Sequence, residues 1–388
     1  MSNFVIEKLP FYWRLSPSGE PRSNIVEEYF PFVFSQQPEF GLVIQERNAA
    51  VLDALEKIYQ QEYNIGYLQD ANEIARPYGV DFIRFLDQVL AENPGIHKIL
   101  EIGCGGCVIL EGLKNRGYDV VGVDSSPFAV KEGAKKGVKV ITAFFPTPLI
   151  TEKFDLAFHV DVLEHIHKPL DFLKQIREAL NPDGIVIVNV PDATESIEIG
   201  DISMAMHQHL NYFTESSLVA MLQSAGFEVL QVVKAGYGGS LYAAARRSEN
   251  AKGNSIPRNL DGSEAHDRFP VLARQVLSTF DQLVASIVKD KSASLGFYVP
   301  LRTLPYIALT GRFSGFRFFD DTEHWHYREF DGVPVTIENF ADLQKEPVTH
   351  ILIMSLTFGD AIRKKIHASF GDRIKTYTLS EIASGSVL

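Results

Sequence analysis

The stretch EIGCGGCVILEGL, Glu101–Leu113, decides the fold of this chain. A β-branched run leads into it and an apolar helical pattern follows, so it predicts a strand, a tight turn and a helix. Two interpretations compete for the turn. Cys104 and Cys107 have the spacing of a redox dithiol or half a zinc site, whereas Gly103 and Gly105 have the spacing of a nucleotide-binding turn.

Strand and helix patterns alternate on both sides of this turn. The run GIVIVNVP at 184–191 is almost entirely apolar, which is typical of a parallel strand covered on both faces. The runs at 227–235 and 240–247 lie close enough to pair as a hairpin. The order predicts a doubly wound α/β domain that ends in an antiparallel pair.

The length of 388 residues suggests more than one domain. A polar stretch rich in glycine and proline follows residue 246 and predicts a linker. Beyond it, a second and smaller α/β unit begins with an amphipathic helix. Before the core, one helix is predicted within 46–63, in otherwise irregular chain. The predicted division is therefore 1–76, 77–247, 248–268 (linker) and 269–388.

Composition narrows the function class. A net charge of −12 argues against broad contact with nucleic acid phosphates. With two cysteines and no export pattern at the start, a disulfide-built secreted fold is not expected. No apolar run approaches the length of about 18 residues that spans a bilayer. We expect a cytoplasmic protein that acts on a small molecule, with no membrane partner; its oligomeric state stays open.

The turn favours one nucleotide class. Val108 stands where a dinucleotide site has its third glycine, and no phosphate-loop lysine follows. S-adenosylmethionine has no phosphates and carries an ammonium and a sulfonium group, so the acid Glu101 at the start of the turn suits it. Asp124, 23 residues later, is placed to accept ribose hydroxyls.

Class I S-adenosylmethionine-dependent methyltransferases have motifs that resemble, in order and spacing, four parts of this chain: Glu101-x-Gly103-x-Gly105, Asp124, FDLAFHVDVLEHI at 154–166 and ALNPDGIVIVNVPD at 179–192. The resemblance covers about residues 80–247. It implies a Rossmann-like, seven-stranded core with S-adenosylmethionine as the cofactor.

The resemblance also implies a cofactor site, made of Glu101, Gly103, Gly105, Asp124, Ser125, Phe144 and Asp161. Within it, the glycine turn holds the methionine end and Asp124 holds the ribose. Ser125 or the 143–144 region lies near adenine, and Asp161 faces the amino-acid part or the substrate. For Cys104 and Cys107, small side chains in a crowded turn are a third interpretation beside zinc and redox chemistry.

The segment MAMHQHLNYFT at 204–214 follows the fifth strand of the core, where a substrate meets the methyl group. An imidazole there could take a proton from the accepting atom. Equally, His207 or His209 could cap a helix or fasten the loop. His165, in the LEHI block, is expected to be mainly structural.

The same segment narrows the resemblance to the three-part sugar C-methyltransferases, which carry His-Glu-His-x-x-Tyr at this place. Here it is His207-Gln208-His209-x-x-Tyr212, so an amide replaces the carboxylate that serves as the family's base. No cysteines stand near 37–40, where that family binds zinc, and we predict no metal. The C-terminal unit resembles the family's Rossmann-like accessory domain, but Val299, Pro300 and Leu301 replace its glycine-rich turn.

Together these observations predict a methyltransferase that moves a methyl group from S-adenosylmethionine to a small polar molecule, such as a nucleotide-linked sugar, by C- or O-methylation. His209 is the predicted base, with Tyr212 or Tyr67 orienting the acceptor. Two other classes stay open. A catalytically silent binding or scaffold protein is suggested by Gln208, and an NAD-dependent oxidoreductase would use a similar turn and acid.

Overall fold

A computed structural model describes residues 3–11, 15–17, 27–60, 75–248, 263–311, 314–330, 333 and 335–387. Its strands are β1 (Phe4–Pro10), β2 (Leu15–Pro17), β3 (Tyr29–Gln37), β4 (Leu42–Gln45), β5 (Lys98–Ile102), β6 (Asp119–Asp124), β7 (Lys139–Thr142), β8 (Phe154–Val160), β9 (Leu180–Pro191), β10 (Asn211–Tyr212), β11 (Phe227–Lys234), β12 (Ser240–Arg247), β13 (Leu295–Tyr298), β14 (Arg317–Phe319), β15 (Arg328–Phe330), β16 (Ile337–Glu338), β17 (His350–Ile353) and β18 (Lys375–Thr378).

The α-helices are α1 (Ala49–Tyr59), α2 (Ala75–Glu92), α3 (Val108–Asn115), α4 (Pro127–Lys136), α5 (Pro169–Ala179), α6 (Thr194–Ile199), α7 (Glu215–Ser224), α8 (Ser263–Lys289), α9 (Pro300–Thr310), α10 (Phe340–Lys345), α11 (Gly359–Phe370) and α12 (Leu379–Ser384). Short 3-10 turns at Leu163–His165, Glu323–Trp325 and Gly371–Arg373 complete the regular structure of the described ranges.

Chain contacts divide the protein into two compact units. One comprises Gln36–Thr194 and Gln208–Ser263, and the other comprises Met1–Ser35, Glu195–His207 and Glu264–Leu388. These units cut the chain at other places than the predicted domain boundaries, which stay a prediction. Most of the predicted linker lies outside the described residues, and the chain is helical from Ser263 onward.

The first unit contains a seven-stranded sheet in the order β11-β12-β9-β8-β5-β6-β7. The five strands from β9 to β7 are parallel, and β12 runs antiparallel to both β9 and β11. The predicted doubly wound α/β core with a terminal hairpin is thus confirmed. In the middle of the sheet, residues 185–188 of β9 are fully covered on both faces, as the apolar run indicated.

The second unit contains a parallel, five-stranded sheet in the order β16-β14-β13-β17-β18. The strand order reverses between β13 and β17, which makes this sheet doubly wound as well. The predicted smaller Rossmann-like α/β architecture is therefore present after α8.

The N-terminal part contains more regular structure than the predicted single helix. Helix α1 forms where it was expected, with Asn48 as the N-cap, but β1 and β3 also pair as an antiparallel ladder. In YFPFVF, Phe30, Phe32 and Phe34 are buried while Pro31 is exposed. This period of two is a strand signal that the proline content obscured.

Among the described residues, the segment Asp267–Lys289 of α8 is the one helix that is long and apolar enough, by length and composition alone, to cross a membrane. Its apolar side chains at 269, 273, 276, 280, 283 and 287 are buried in the unit. The core helix of a soluble protein passes the same test, so this observation carries little weight for a membrane span.

The buried central strand gives a stability prediction. Replacing Ile187, which is 0% exposed on β9, with alanine should lower the free energy of unfolding by about 2–5 kcal/mol, because a cavity opens between packed layers. The control is Leu149→Ala, at a side chain 63% exposed, which should change it by less than about 0.5 kcal/mol. Urea unfolding followed by circular dichroism measures both, and equal effects would contradict the assigned burial.

Candidate active site

The glycine turn between β5 and α3 has a backbone that ordinary residues resist. Gly103 and Gly105 have φ of +74° and +44°, and Cys107 has φ of +57°. The Gly103 N–H donates to the Val123 carbonyl at 2.8 Å. A Cβ on Gly103 would lie 2.7 Å from the Val162 side chain, so glycine is needed there for space as well as for conformation.

Asp124 fastens this turn to the next strand. Its Oδ2 accepts a hydrogen bond from the Gly105 N–H at 2.9 Å, and its Oδ1 accepts one from the Ser126 N–H at 2.8 Å. Burial raises the pKa of Asp124, and the two backbone bonds oppose that shift. A carboxylate offers about four lone-pair directions, so the predicted contact with ribose hydroxyls remains open to it.

Glu101 is the acid beneath the turn. The residue is 3% exposed, and its Oε2 has no hydrogen-bond partner among the described residues. Burial raises the pKa of Glu101, with smaller contributions from Cys107 and Asp124. A buried acceptor without a partner is costly, and a ligand that donates hydrogen bonds or carries positive charge would relieve that cost.

The two cysteines pack in the core beside this turn. Their sulfur atoms lie 3.8 Å apart, and both residues are buried. A Cβ on Gly122 would lie 2.6 Å from Cys104 Sγ, which shows how closely the turn packs on β6. This packing supports the interpretation of Cys104 and Cys107 as small side chains that fit a crowded turn.

Asp161 follows β8 and has φ of +52°. The Tyr78 hydroxyl, on α2, lies 2.8 Å from Asp161 Oδ1 and also contacts Asn189 and Ser240 at 3.1 Å. Burial raises the pKa of Asp161 to about 6, and the Tyr78 hydrogen bond opposes the shift. Sequence reasoning missed Tyr78, because no pattern links α2 to the end of β8.

The predicted adenine contacts lie at the same edge of the sheet. Ser125, directly after β6, donates its hydroxyl to the Tyr59 carbonyl at 3.2 Å. Phe144, shortly after β7, is 44% exposed. An exposed aromatic ring at this edge suits a stacking role, and both assignments stay predictions.

His209 lies in a second cluster, near the end of β8. Its ring centroid is 5.0 Å from that of His165 and 6.4 Å from that of Tyr212, which is buried on β10. The structure therefore brings the predicted base and Tyr212 together. Tyr67, the other predicted orienting residue, lies outside the described residues.

Hydrogen bonds hold the His209 segment against the turn at Leu163–His165. The Leu210 N–H donates to the Glu164 carbonyl at 2.7 Å, and the Asn211 amide donates to the Ile166 carbonyl at 2.8 Å. On the other side, the Arg47 guanidinium donates to the Leu210 carbonyl and to Asn211 Oδ1. Strand β10 also pairs with β4. Position 209 is thus fixed from two directions.

Glu164 is the residue of this cluster that the sequence did not single out. It is 1% exposed, and both carboxylate oxygens are buried without a hydrogen-bond partner among the described residues. Glu164, His165 and His209 each place a nitrogen or oxygen within 4.8 Å of the others. By donor type, two imidazoles and a carboxylate could hold a transition-metal ion; they could equally share a proton.

His207, two residues earlier, has a different environment. The rings of Phe11, Phe30 and Phe32 surround it at centroid distances of 5.5–5.8 Å. Burial lowers its pKa to about 4. Of the two histidines in the segment, His207 therefore fits the interpretation that a histidine here fastens the loop rather than takes up a proton.

Comparison with known proteins identifies the core. A family model described as a methyltransferase domain matches residues 72–232. These residues form a methyltransferase domain. The prediction of a methyltransferase core is confirmed, and the glycine turn, Asp124, Asp161 and the Leu163–His165 turn all lie within the matched range.

Two curated proteins and one solved structure illustrate the similarity. The ubiquinone biosynthesis O-methyltransferase of Azorhizobium caulinodans is 30% identical over 35% of this chain and 60% of its own. The C-methyltransferase NovU of Streptomyces niveus is 26% identical over 60% of each chain. The N-methyltransferase NodS from Bradyrhizobium japonicum, in complex with S-adenosyl-l-homocysteine, has a TM-score of 0.37 at 17% identity, covering 47% of this chain and 91% of that one. The matched regions thus span less than two thirds of the two curated relatives.

A comparison of alanine variants at two glycines distinguishes the effect of close packing from the effect of backbone strain. Gly103→Ala should lower the free energy of unfolding by about 1–3 kcal/mol more than Gly117→Ala, because its Cβ meets Val162. Gly117 also has a positive φ, +94°, but has open space around its missing Cβ. Urea unfolding of both variants makes the comparison. Equal losses would mean that conformation alone requires the glycine at 103.

Proposed function

We propose that this protein transfers a methyl group from S-adenosylmethionine to a small polar molecule, with a nucleotide-linked sugar as the leading acceptor class. The observation that carries the proposal is Glu101: a buried carboxylate with an unpartnered oxygen, beneath a glycine turn that Asp124 fastens. This charge pattern suits a cationic, phosphate-free cofactor. It does not suit a pyrophosphate, which a buried anion would repel.

When bound, the cofactor supplies an electrophilic methyl group on a sulfonium. The protein's part is to hold and align. Glu101, beneath the turn that contains Gly103 and Gly105, receives the ammonium group of the amino-acid end, and Asp124 receives the ribose. The Tyr78 hydroxyl holds Asp161 at the end of β8. Alignment of donor and acceptor is the main source of rate for a donor that is already reactive.

The acceptor class rests on the segment that contains His209. A hydroxyl or an activated carbon must lose a proton as the methyl arrives, and His209 is a partly exposed imidazole at the sheet edge where the strands end. The resemblance to NovU extends over 252 residues, beyond the range of the methyltransferase model. This wider similarity favours an acceptor of the kind that a C-methyltransferase uses over one of the ubiquinone biosynthesis O-methyltransferases. A cytoplasmic location and small-molecule partners belong to the same proposal.

The two rival classes make different predictions. An NAD-dependent oxidoreductase would need backbone N–H groups free for a pyrophosphate, but Gly105 N–H is taken by Asp124 and α3 begins at Val108 in place of the third glycine. A silent scaffold would keep cofactor affinity without turnover. Cofactor choice and methyl transfer therefore separate the three.

Isothermal calorimetry tests the cofactor. S-adenosylhomocysteine should bind to the wild-type protein and NAD should not. The variant Asp124→Asn should bind S-adenosylhomocysteine about tenfold more weakly or worse, because a charged hydrogen-bond acceptor is lost. Asp119→Asn is the control: Asp119 begins the same strand β6, and its side chain is 66% exposed, so its affinity should match the wild type. Binding of NAD in place of S-adenosylhomocysteine would reject the proposal.

Turnover is tested by incubating the protein and S-adenosylmethionine with a panel of nucleoside-diphosphate-linked sugars and, separately, with phenolic acceptors. Mass spectrometry should detect a singly methylated sugar. A methylated phenol would reassign the acceptor class. Cofactor binding without any methylated product from a metabolite extract would favour the scaffold.

Glu101 should stabilise the complex with the cofactor and lower the free energy of unfolding of the ligand-free protein. Because burial raises its pKa, the folded protein binds this proton more tightly than the unfolded chain does. Stability from this group is complete below its ordinary pKa of 4.5 and is lost as the pH rises above it. Glu101→Gln should therefore raise the free energy of unfolding of the ligand-free protein at pH 8 by about 1–3 kcal/mol.

The same variant should bind S-adenosylhomocysteine about tenfold more weakly or worse, because an amide has no charge for the cofactor's ammonium group. Thermal unfolding at pH 4 and pH 8, with and without S-adenosylhomocysteine, measures both effects. Reduced stability of the empty variant at pH 8 would show that Glu101 has a protein partner and is not reserved for a ligand.

A further inference from the structure

Glu164, His165 and His209 form a cluster whose charges do not balance. Glu164 is almost completely buried, and both its oxygens lack hydrogen-bond partners within the described ranges. The ion-pair contact described for it joins Oε1 to His165 Nε2 at 3.7 Å. A buried carboxylate without a donor is expensive to maintain. Such a group requires an explanation in a native protein.

His165 does not supply the missing proton donor. Its Nδ1 lies 2.7 Å from the Gln208 carbonyl, which can only accept, so Nδ1 carries the ring hydrogen. In the neutral ring, Nε2 is then an acceptor, and it faces another acceptor, the Glu164 carboxylate. Burial lowers the pKa of His165 to about 4, which keeps the ring neutral near pH 7.

The remaining member of the cluster is His209. It is partly exposed, whereas Glu164 is enclosed. Its neighbour Gln208 has an amide, which cannot take up a proton at neutral pH. Within the described residues, Glu164 is the carboxylate that the fold brings to His209, with a ligand atom within 4.8 Å. The turn at Leu163–His165 presents it from the end of β8.

We propose that Glu164 is the positioning carboxylate of His209: it orients the imidazole and stabilises the proton that His209 takes from the methyl acceptor. The acceptor's O–H or C–H bond breaks and its proton moves to the His209 ring. The released electron pair forms the bond to the methyl carbon, and the carbon–sulfur pair stays on sulfur, leaving S-adenosylhomocysteine. Arrival of the proton makes His209 a cation whose charge offsets that of the buried carboxylate, so His209 beside Glu164 is a stronger base than an isolated histidine.

Other groups around His209 do not offer this charge. Tyr59 on α1 packs on His165, and burial raises its pKa far above neutrality. Tyr212 on β10 is buried and has a phenol group, which is neutral near pH 7. Arg47 is held by the Gln45 and Leu210 carbonyls. The other carboxylate that acts on Glu164 is Asp161, which accepts a hydrogen bond from the Tyr78 hydroxyl. Burial and, to a smaller extent, Asp161 raise the pKa of Glu164, so its carboxylate form needs a cationic partner such as protonated His209.

This inference rests on the proposed function, but its first test needs no acceptor. In protein labelled with ¹⁵N-histidine and saturated with S-adenosylhomocysteine, the His209 signal is assigned by its loss in His209→Asn. Glu164→Gln should lower the titration midpoint of His209 by about one pH unit, because the opposite charge is removed. Adding Gln208→Glu to this variant places a carboxylate next to His209 in sequence and should restore the midpoint. Glu178→Gln, at an exposed glutamate of α5, is the control and should change nothing.

An unchanged His209 midpoint in Glu164→Gln would overturn the proposal. Where that variant fails to bind S-adenosylhomocysteine, Glu164→Asp is titrated instead. Its shorter side chain withdraws the charge from His209, so a lower midpoint supports the proposal and an unchanged one overturns it. These outcomes are independent of turnover: a wild-type protein that shows the coupling but transfers no methyl group refutes the proposed function alone.

The second test uses the acceptor found by the panel. Glu164→Gln should lower kcat by about 100-fold with little change in KM, the effect of weakening a general base, and Gln208→Glu should restore at least part of it in the double variant. A double variant no faster than Glu164→Gln would overturn the proposal. So would loss of wild-type activity on dialysis against EDTA, restored by Mn²⁺ or Zn²⁺, which would assign the three side chains to a cation.

Discussion

The bidentate use of the Asp124 carboxylate is the interaction on which the rest of the site depends. One oxygen binds the N–H of Gly105 in the turn after β5, and the other binds the N–H of Ser126 at the start of α4. Two loops that begin at neighbouring parallel strands are thereby fixed relative to each other. With Gly103 bonded to Val123, the turn retains its left-handed backbone while the carboxylate of Glu101 stays enclosed below it.

The arrangement of the sheet explains why residues so distant in sequence meet at one edge. Strands β9, β8, β5, β6 and β7 are parallel, so their carboxyl ends lie side by side. The loops there contribute polar groups to a site above strands that are mainly apolar, with Glu101, His159 and Asn189 as buried polar exceptions. The resulting burial raises the pKa of four acids, Glu101, Asp124, Asp161 and Glu164. The empty domain gives up stability at these positions, as functional sites commonly do.

Sequence patterns were sufficient wherever local chemistry dictates structure. The glycine turn, the apolar strand β9 and the hairpin of β11 and β12 all formed as predicted, because each depends on residues within one short window. Glu164 was missed for a different reason: nothing in the local sequence of the LEHI block shows that its acid is enclosed without a hydrogen-bond donor. Tyr78 likewise became visible only when α2 was placed beside β8. His207 and His209 are the same residue type in one short segment, so the sequence does not show which could act as a base. The packing of His207 against three phenylalanines in the structure distinguishes their roles.

The second doubly wound sheet shows that the fold alone does not create a site such as the one around Glu101. Its strand order also reverses beside the first strand, β13, and the turn that follows also has a left-handed backbone, with φ of +68° at Val299. Yet a β-branched residue occupies that position, and Pro300 next to it has no N–H. At the end of β14, Asp321 accepts the Tyr298 hydroxyl and pairs with Lys365. The same architecture thus has its acid engaged by protein groups, whereas in the methyltransferase domain Glu101 remains unpartnered. The two doubly wound sheets therefore differ in whether an acid near the first strands keeps an oxygen without a protein partner.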